Sequence, residues 1–202
     1  KAHTYDDHGN LAFAYLHQGK AYTMLGKYDE AASYLEQALA AAEQLQCDIH
    51  SGDIYLSLGI IYTKTGRTED ALEHLHLALE LLEQHQYAET PGALAAIGSI
   101  YYDQHELTMA EQYASVALEL SREAGVPSIE AESLKLYGMI AYRKDQPESG
   151  HQFLHQALMV SRSVSNHAQS LSIARILASL TQDKETPQYF RELIDAAEEI
   201  YR

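Results

Sequence analysis

The sequence predicts an all-α chain of antiparallel helix pairs repeated about five times, and three observations predict it. Glycines recur at 19, 59, 98 and 138, spaced 40, 39 and 40 residues apart, and fixed-period self-similarity marks a repeat architecture. Around each glycine the same residue types return at the same offsets, with apolar positions at helical spacing. The composition also suits helices. Alanine, leucine and glutamate dominate, hydrophobic residues make up 46% and charged residues 21%, and there are only four prolines.

The elements follow in order. The first repeat, roughly 10–48, places Tyr15, Gly19 and Tyr22 on its first helix and Ala31 and Ala38 on its second. Between them, Leu25-Gly26-Lys27 reads as a C-terminal glycine stop. The second, 50–88, carries Tyr55, Gly59 and Tyr62, then Thr65-Gly66-Arg67 as the stop, then Ala71 and Ala78. The third, 90–126, opens on Thr90-Pro91, an N-cap followed by proline at the first helical position. It continues with Leu94, Gly98 and Tyr101, then Ala110 and Ala117, and ends near Gly125 before Val126-Pro127-Ser128. The fourth, 128–166, has Leu134, Gly138 and Ala141, then Gly150 and Ala157. The fifth, 168–202, is degraded, with Ala178 in the glycine place, Thr186-Pro187 at a helix start, and Phe190 and Ala197 beyond. Small residues sit where two helices cross closely, because a bulky side chain there would overpack the crossing at a cost of about 1–3 kcal/mol. Tyr15, Tyr22, Tyr55, Tyr62 and Tyr101 are expected to be core packing residues.

The second copy, Tyr55, Leu58, Gly59, Tyr62, Ala71, Leu75 and Ala78, resembles the tetratricopeptide-repeat (TPR) pattern. The resemblance covers nearly the whole chain. It implies a single right-handed superhelical solenoid over 1–202, since a lone helix pair cannot bury its apolar face. The repeats are about six residues longer than the common 34, which adds between one and two helical turns. In this they look like those of kinesin light chains, spindle-orientation adaptors and Gram-positive peptide-pheromone receptors. The resemblance implies a protein- or peptide-binding scaffold that works through its concave groove, and not an enzyme.

Nothing in the residues argues for chemistry. The phosphate-loop, zinc-protease and nucleophile-elbow motifs are absent. His151 and His155 stand four apart on one helix, a spacing that can hold zinc, but no third ligand is evident. His74 and His76, two apart, point to different faces. Cys47 is the only cysteine, so no intrachain disulfide can form, and its pairing with His50 lacks an orienting partner. No metal or other cofactor is expected. The formal net charge of -15 argues against a duplex nucleic acid or an anionic membrane as partner. No apolar stretch reaches bilayer length and no leader pattern opens the chain, so the default expectation is cytoplasmic. A start at Lys1 reads as a fragment or a processed product.

The resemblance places the groove on six outward positions of each first helix. Five of these positions are basic, Lys20, Lys64, Lys135, Arg143 and Arg175, and four are acidic, Asp53, Asp103, Glu132 and Asp183. The groove therefore nets about +1 in a strongly acidic chain. Tyr102 and Tyr142 each follow the consensus tyrosine place by one residue, which turns them about 100° toward the groove. With Met139 they offer adaptable apolar contact. Ile176 and Ser179 are outward positions of the fifth copy. The expected site is thus Lys20, Lys64, Tyr102, Asp103, Lys135, Met139, Tyr142, Arg143 and Arg175, weighted to repeats three to five, with Arg143 and Arg175 forking a carboxylate of an acidic peptide. The paired groove asparagines of the chaperone-tail carboxylate clamp are missing.

Two other functions compete. The long repeats also fit the ligand-sensing part of a peptide-pheromone-type regulator, or a module appended to a signalling enzyme. Self-association is a further partner: the segment from Pro187 carries Phe190, Leu193, Ile194, Ala197 and Tyr201 on one stripe. That stripe would cap the last repeat or, if exposed, support a homodimer.

Overall fold

The computed structural model describes residues 2–45, 50–84 and 89–180, with side chains described from Gly9 onward apart from 45 and 84. Among the described residues there are nine helices and no strand. They are α1 (Ala2–Met24), α2 (Tyr28–Leu45), α3 (Ser51–Lys64), α4 (Thr68–Gln84), α5 (Thr90–Asp103), α6 (Leu107–Glu123), α7 (Pro127–Arg143), α8 (Pro147–Ser163) and α9 (His167–Leu180). The extra length of the repeat is shared unevenly. The second helices α4, α6 and α8 each have 17 residues, against 14 in the first helices α3, α5 and α9 and 17 in the first helix α7. Cys47 and the segment that carries Phe190 and Ala197 lie outside the described residues. The chain divides into two compact units, Lys1–Ile100 and Tyr101–Arg202.

One turn geometry serves both units. After α1, α3, α5, α6, α7 and α8, the N–H of the residue that opens the next element donates back to the carbonyl five residues earlier. Examples are Lys27 to Tyr22 at 3.0 Å, Arg67 to Tyr62 at 2.9 Å and Gln146 to Ala141 at 2.9 Å. This six-to-one bond needs a left-handed residue just before the donor. Gly26, Gly66 and Gly125 fill that place with φ of 71°, 77° and 65°. Glycine does so at no steric cost, as the sequence stops at Gly26 and Gly66 lead one to expect. His105, Asp145 and Ser165 fill the same place with φ of 66°, 60° and 55°. No glycine marks these turns, so composition alone does not locate them.

Inside each helix pair the glycine is a socket for a leucine. A Cβ on Gly19 would lie 2.6 Å from Leu35 Cγ, one on Gly59 2.6 Å from Leu75 Cγ, and one on Gly138 2.5 Å from Leu154 Cγ. Leu35, Leu75 and Leu154 are completely buried. Each leucine follows its glycine by sixteen residues, and the small alanines on the second helix let it reach that depth. Repeat three departs from this pattern, with Ala114 in the leucine place, fully buried in a cluster with Tyr102, Ala110, Leu136 and Ile140.

The consensus tyrosines behave differently from the expectation. Tyr62 is buried, but Tyr15, Tyr22, Tyr55 and Tyr101 are only half-buried. They form a brace at the edge of each pair. Tyr22 stacks on Tyr34 with centroids 5.1 Å apart, Tyr62 meets His74 edge-on at 4.9 Å, and Tyr101 stacks on Tyr113 at 5.5 Å. Repeat four has Ala141 in the tyrosine place, and there Tyr137 takes over, stacking on Phe153 at 5.2 Å. Such pairs add about 0.5–1.5 kcal/mol beyond their area.

Candidate functional site

The residue four places after each repeat glycine differs between the two units. In the first unit it is a threonine. Thr23 donates to the Gly19 carbonyl at 2.9 Å and Thr63 to the Gly59 carbonyl at 2.8 Å, so both side chains fold back onto their own helices. In the second unit it is a tyrosine, too long to fold back, and each ring needs room on the facing helix. Tyr102 finds it against Ala110 and Ala114. Tyr142 finds it at Gly150, where a Cβ would sit only 2.5 Å from the ring. Gly150 stands where the other copies have alanine, a signal readable in the sequence.

Both rings also form walls of an open cleft of about 440 Å³, lined by Tyr102, Met139, Tyr142, Arg143, Ile176, Ser179 and Leu180. It lies among the last turn of α5, the C-terminal half of α7 and the end of α9. Small-ligand sites typically span about 300–1,000 Å³. Four of the sequence-selected residues, Tyr102, Met139, Tyr142 and Arg143, meet there. Ile176 and Ser179 come from the outward positions of the fifth copy. Leu180, 41% exposed, was not selected, because its place two residues after Ala178 is not one of the outward positions.

Arg143 is held by an aromatic ring and an imidazole nitrogen. Its guanidinium carbon lies 4.3 Å above the Tyr102 ring centre, and Nη1 donates to Nδ1 of His105. The left-handed backbone of His105 sets this second contact, which no sequence pattern announces. Other cations of the second unit hold carboxylates: Lys135 pairs with Glu132, Lys144 with Glu111 and Arg122 with Glu130 at 2.8 Å. Burial in the cleft pushes the Tyr142 phenol above its ordinary pKa of 10.0, with Glu148 adding to the shift. Like any phenol it is a hydrogen-bond donor at neutral pH. Ser179 Oγ donates to the Ile176 carbonyl at 2.8 Å, which leaves its oxygen free to accept.

The remaining selected residues lie elsewhere. Asp103 and Arg175 are exposed and do not line the cleft. Lys135 is half-buried in its ion pair. In the first unit, Lys20 Nζ lies 2.5 Å from Asp53 Oδ2, and Lys64 is exposed in the last turn of α3. Phe13, 47% exposed, contacts the His17 ring at 4.0 Å and the His50 ring at 5.8 Å. Among the described residues, no group of three or more histidine, cysteine or acidic side chains is placed to hold a metal ion. No described helix is long and apolar enough to cross a membrane.

Solved structures share this fold at low identity. BtubC (BKLC) from P. vanneervenii matches with a TM-score of 0.68 and 20% identity, over 96% of this chain and 81% of that one. PilF of Pseudomonas aeruginosa matches with a TM-score of 0.62 and 18% identity, over 95% and 78%. The TPR-like repeats of a putative kinesin light chain from Podosopora anserina match with a TM-score of 0.57 and 16% identity, over 93% of each chain. At these identities the likeness shows the fold alone. No curated protein sequence matches the chain. The model of the MalT-like TPR region, in contrast, matches residues 3–199, nearly the whole chain. Glycine sockets, paired helices and this match agree that the chain belongs to the family of MalT-like TPR regions.

Proposed function

We propose that this chain is a protein-interaction module that binds a peptide segment of its partner in the cleft of the second unit. The observation that carries the reading is the meeting of Tyr102, Met139, Tyr142 and Arg143 in one opening, with the arginine held by the Tyr102 ring and His105 instead of a carboxylate. Convergent apolar walls with a few placed polar groups are the usual form of a binding site. Rigid aromatics and arginine are the residue types that dominate interface energies. The partner is the sole occupant this reading requires; it needs no cofactor and no reaction.

A peptide-display selection against the chain, followed by calorimetry on variants, tests it. Selected peptides are expected to lose at least about tenfold in affinity with Arg143→Glu, a loss of ~1.4 kcal/mol. They should bind Lys64→Glu as tightly as the parent. Unchanged affinity in Arg143→Glu, with a loss in Lys64→Glu, overturns the assignment and moves the site to the first unit. A second reading, a ligand-sensing part of a larger regulator, is favoured by one point: the matching family model describes a region of a protein. It would use the same cleft.

A further inference from the structure

We infer that the cleft recognises a two-point motif: one large apolar side chain with a single aspartate or glutamate directly beside it in the peptide. The inference rests on the cleft being the binding site, as proposed above, and specifies what it selects. The apolar point follows from the walls. Met139, Ile176, Leu180 and the rings of Tyr102 and Tyr142 surround a volume of about 440 Å³, room for an aromatic or long aliphatic side chain. Met139 is unbranched and polarizable, so the wall adapts to several such shapes.

The acidic point follows from Arg143. Its guanidinium plane is fixed by the Tyr102 ring beneath it and by the bond to His105. Arginine has five N–H donors in a fixed fork. His105 takes one of them, and no carboxylate among the described residues takes the rest. The charge is thus oriented but not neutralised, unlike that of Lys135 or Lys144. A planar, pre-oriented guanidinium matches a carboxylate with two parallel bonds. The Tyr142 phenol, protonated at neutral pH as tyrosines are, adds a donor, and Ser179 offers an acceptor for a peptide N–H.

Charge also limits how acidic the motif is. The chain carries a formal net charge of -15, so an extended acidic tail meets long-range repulsion. One guanidinium balances one carboxylate. The geometry therefore favours a single acid next to an apolar anchor over an acidic run, and over a dianionic phosphate, since Arg143 is the one cation among the described residues that line the cleft.

The test uses the full chain and a random dodecapeptide display library. Enriched sequences are synthesised with a fluorescein label and measured by anisotropy in three forms: parent, acid replaced by its amide, and apolar residue replaced by alanine. Each is measured against wild type, Arg143→Lys and Arg143→Gln, all checked for unchanged melting. Enrichment of apolar–acidic pairs is expected, with about tenfold loss for the amide and for the alanine form. In Arg143→Gln the preference for acid over amide disappears while the alanine loss persists. Arg143→Lys, which keeps charge but not the fork, falls between. If Arg143→Gln weakens binding but the enriched peptides lack such pairs, or a phosphoserine form binds more tightly than the acid, this inference fails and the cleft assignment stands. If every enriched peptide is indifferent to Arg143, the cleft assignment fails with it.

Discussion

Filling the socket at Gly138 tests the packing that holds the cleft in place. An alanine Cβ there would lie 2.5 Å from Leu154 Cγ, 2.9 Å from Leu154 Cδ2 and 3.0 Å from the Gly150 carbonyl oxygen. The leucine is fully buried and the carbonyl belongs to helix backbone, so neither gives way cheaply. Overpacking of this kind costs about 1–3 kcal/mol. The gain in helix propensity from glycine to alanine offsets about 1 kcal/mol. Gly138→Ala should therefore destabilise the second unit by ~1 kcal/mol. Leu154→Ala alone should cost about 2–5 kcal/mol, because it empties a buried site. If the two side chains compete for one space, the double variant recovers at least ~1 kcal/mol against the sum of the singles. Urea unfolding followed by circular dichroism measures all four corners of the cycle. Additivity within ~0.5 kcal/mol, or a Gly138→Ala variant more stable than the parent, would refute the socket reasoning.

Two further predictions follow from the turns and the buried phenols. Gly66 has φ 77° with no atom within 4 Å of a built Cβ, so Gly66→Ala tests backbone strain alone. It should destabilise by about 1 kcal/mol. Asp145→Gly, at φ 60° in the equivalent turn, should be neutral to stabilising by less than ~1 kcal/mol, because glycine also loosens the unfolded chain. Thermal melts read both, and a neutral Gly66→Ala contradicts the assigned turn. Burial raises the phenols of Tyr113 and Tyr142 above their ordinary value of 10.0, with Tyr101 and Glu148 as second causes. Stability from a raised group is fully present below the unfolded pKa and is lost as pH rises through the folded one. Folding should weaken as pH climbs past the ordinary tyrosine range. In an absorbance titration, Tyr142→Phe and Tyr113→Phe should remove late-ionising phenols; loss of early-ionising ones instead would show the rings to be solvated.

The repeat made the helix pairs legible, because a glycine every 39 or 40 residues states which positions face a neighbouring helix. It made the glycine-for-glycine equivalence visible, and Leu75 in the second copy, but not that this leucine fills the space above the glycine, and alanine stands there in repeat three. The turns at His105, Asp145 and Ser165 were hidden for a physical reason: a left-handed residue is strongly signalled only when it is glycine. The tyrosines show the limit most clearly. Helical angle alone sends Tyr102 and Tyr142 toward the groove and treats them alike. Whether such a ring lies against its partner helix depends on the residue opposite, Ala114 in one case and Gly150 in the other, and angle carries no information about that. The five basic positions likewise counted as equal charges in the sequence. Three-dimensional pairing separates them, since Lys20 and Lys135 are each spent on a carboxylate while Arg143 is steadied by a ring and an imidazole. A net charge of about +1 summed over a groove thus understated what mattered. On the proposed reading, specificity would reside in Arg143, oriented by the Tyr102 ring and His105 beside the tyrosine rings that shape the cleft.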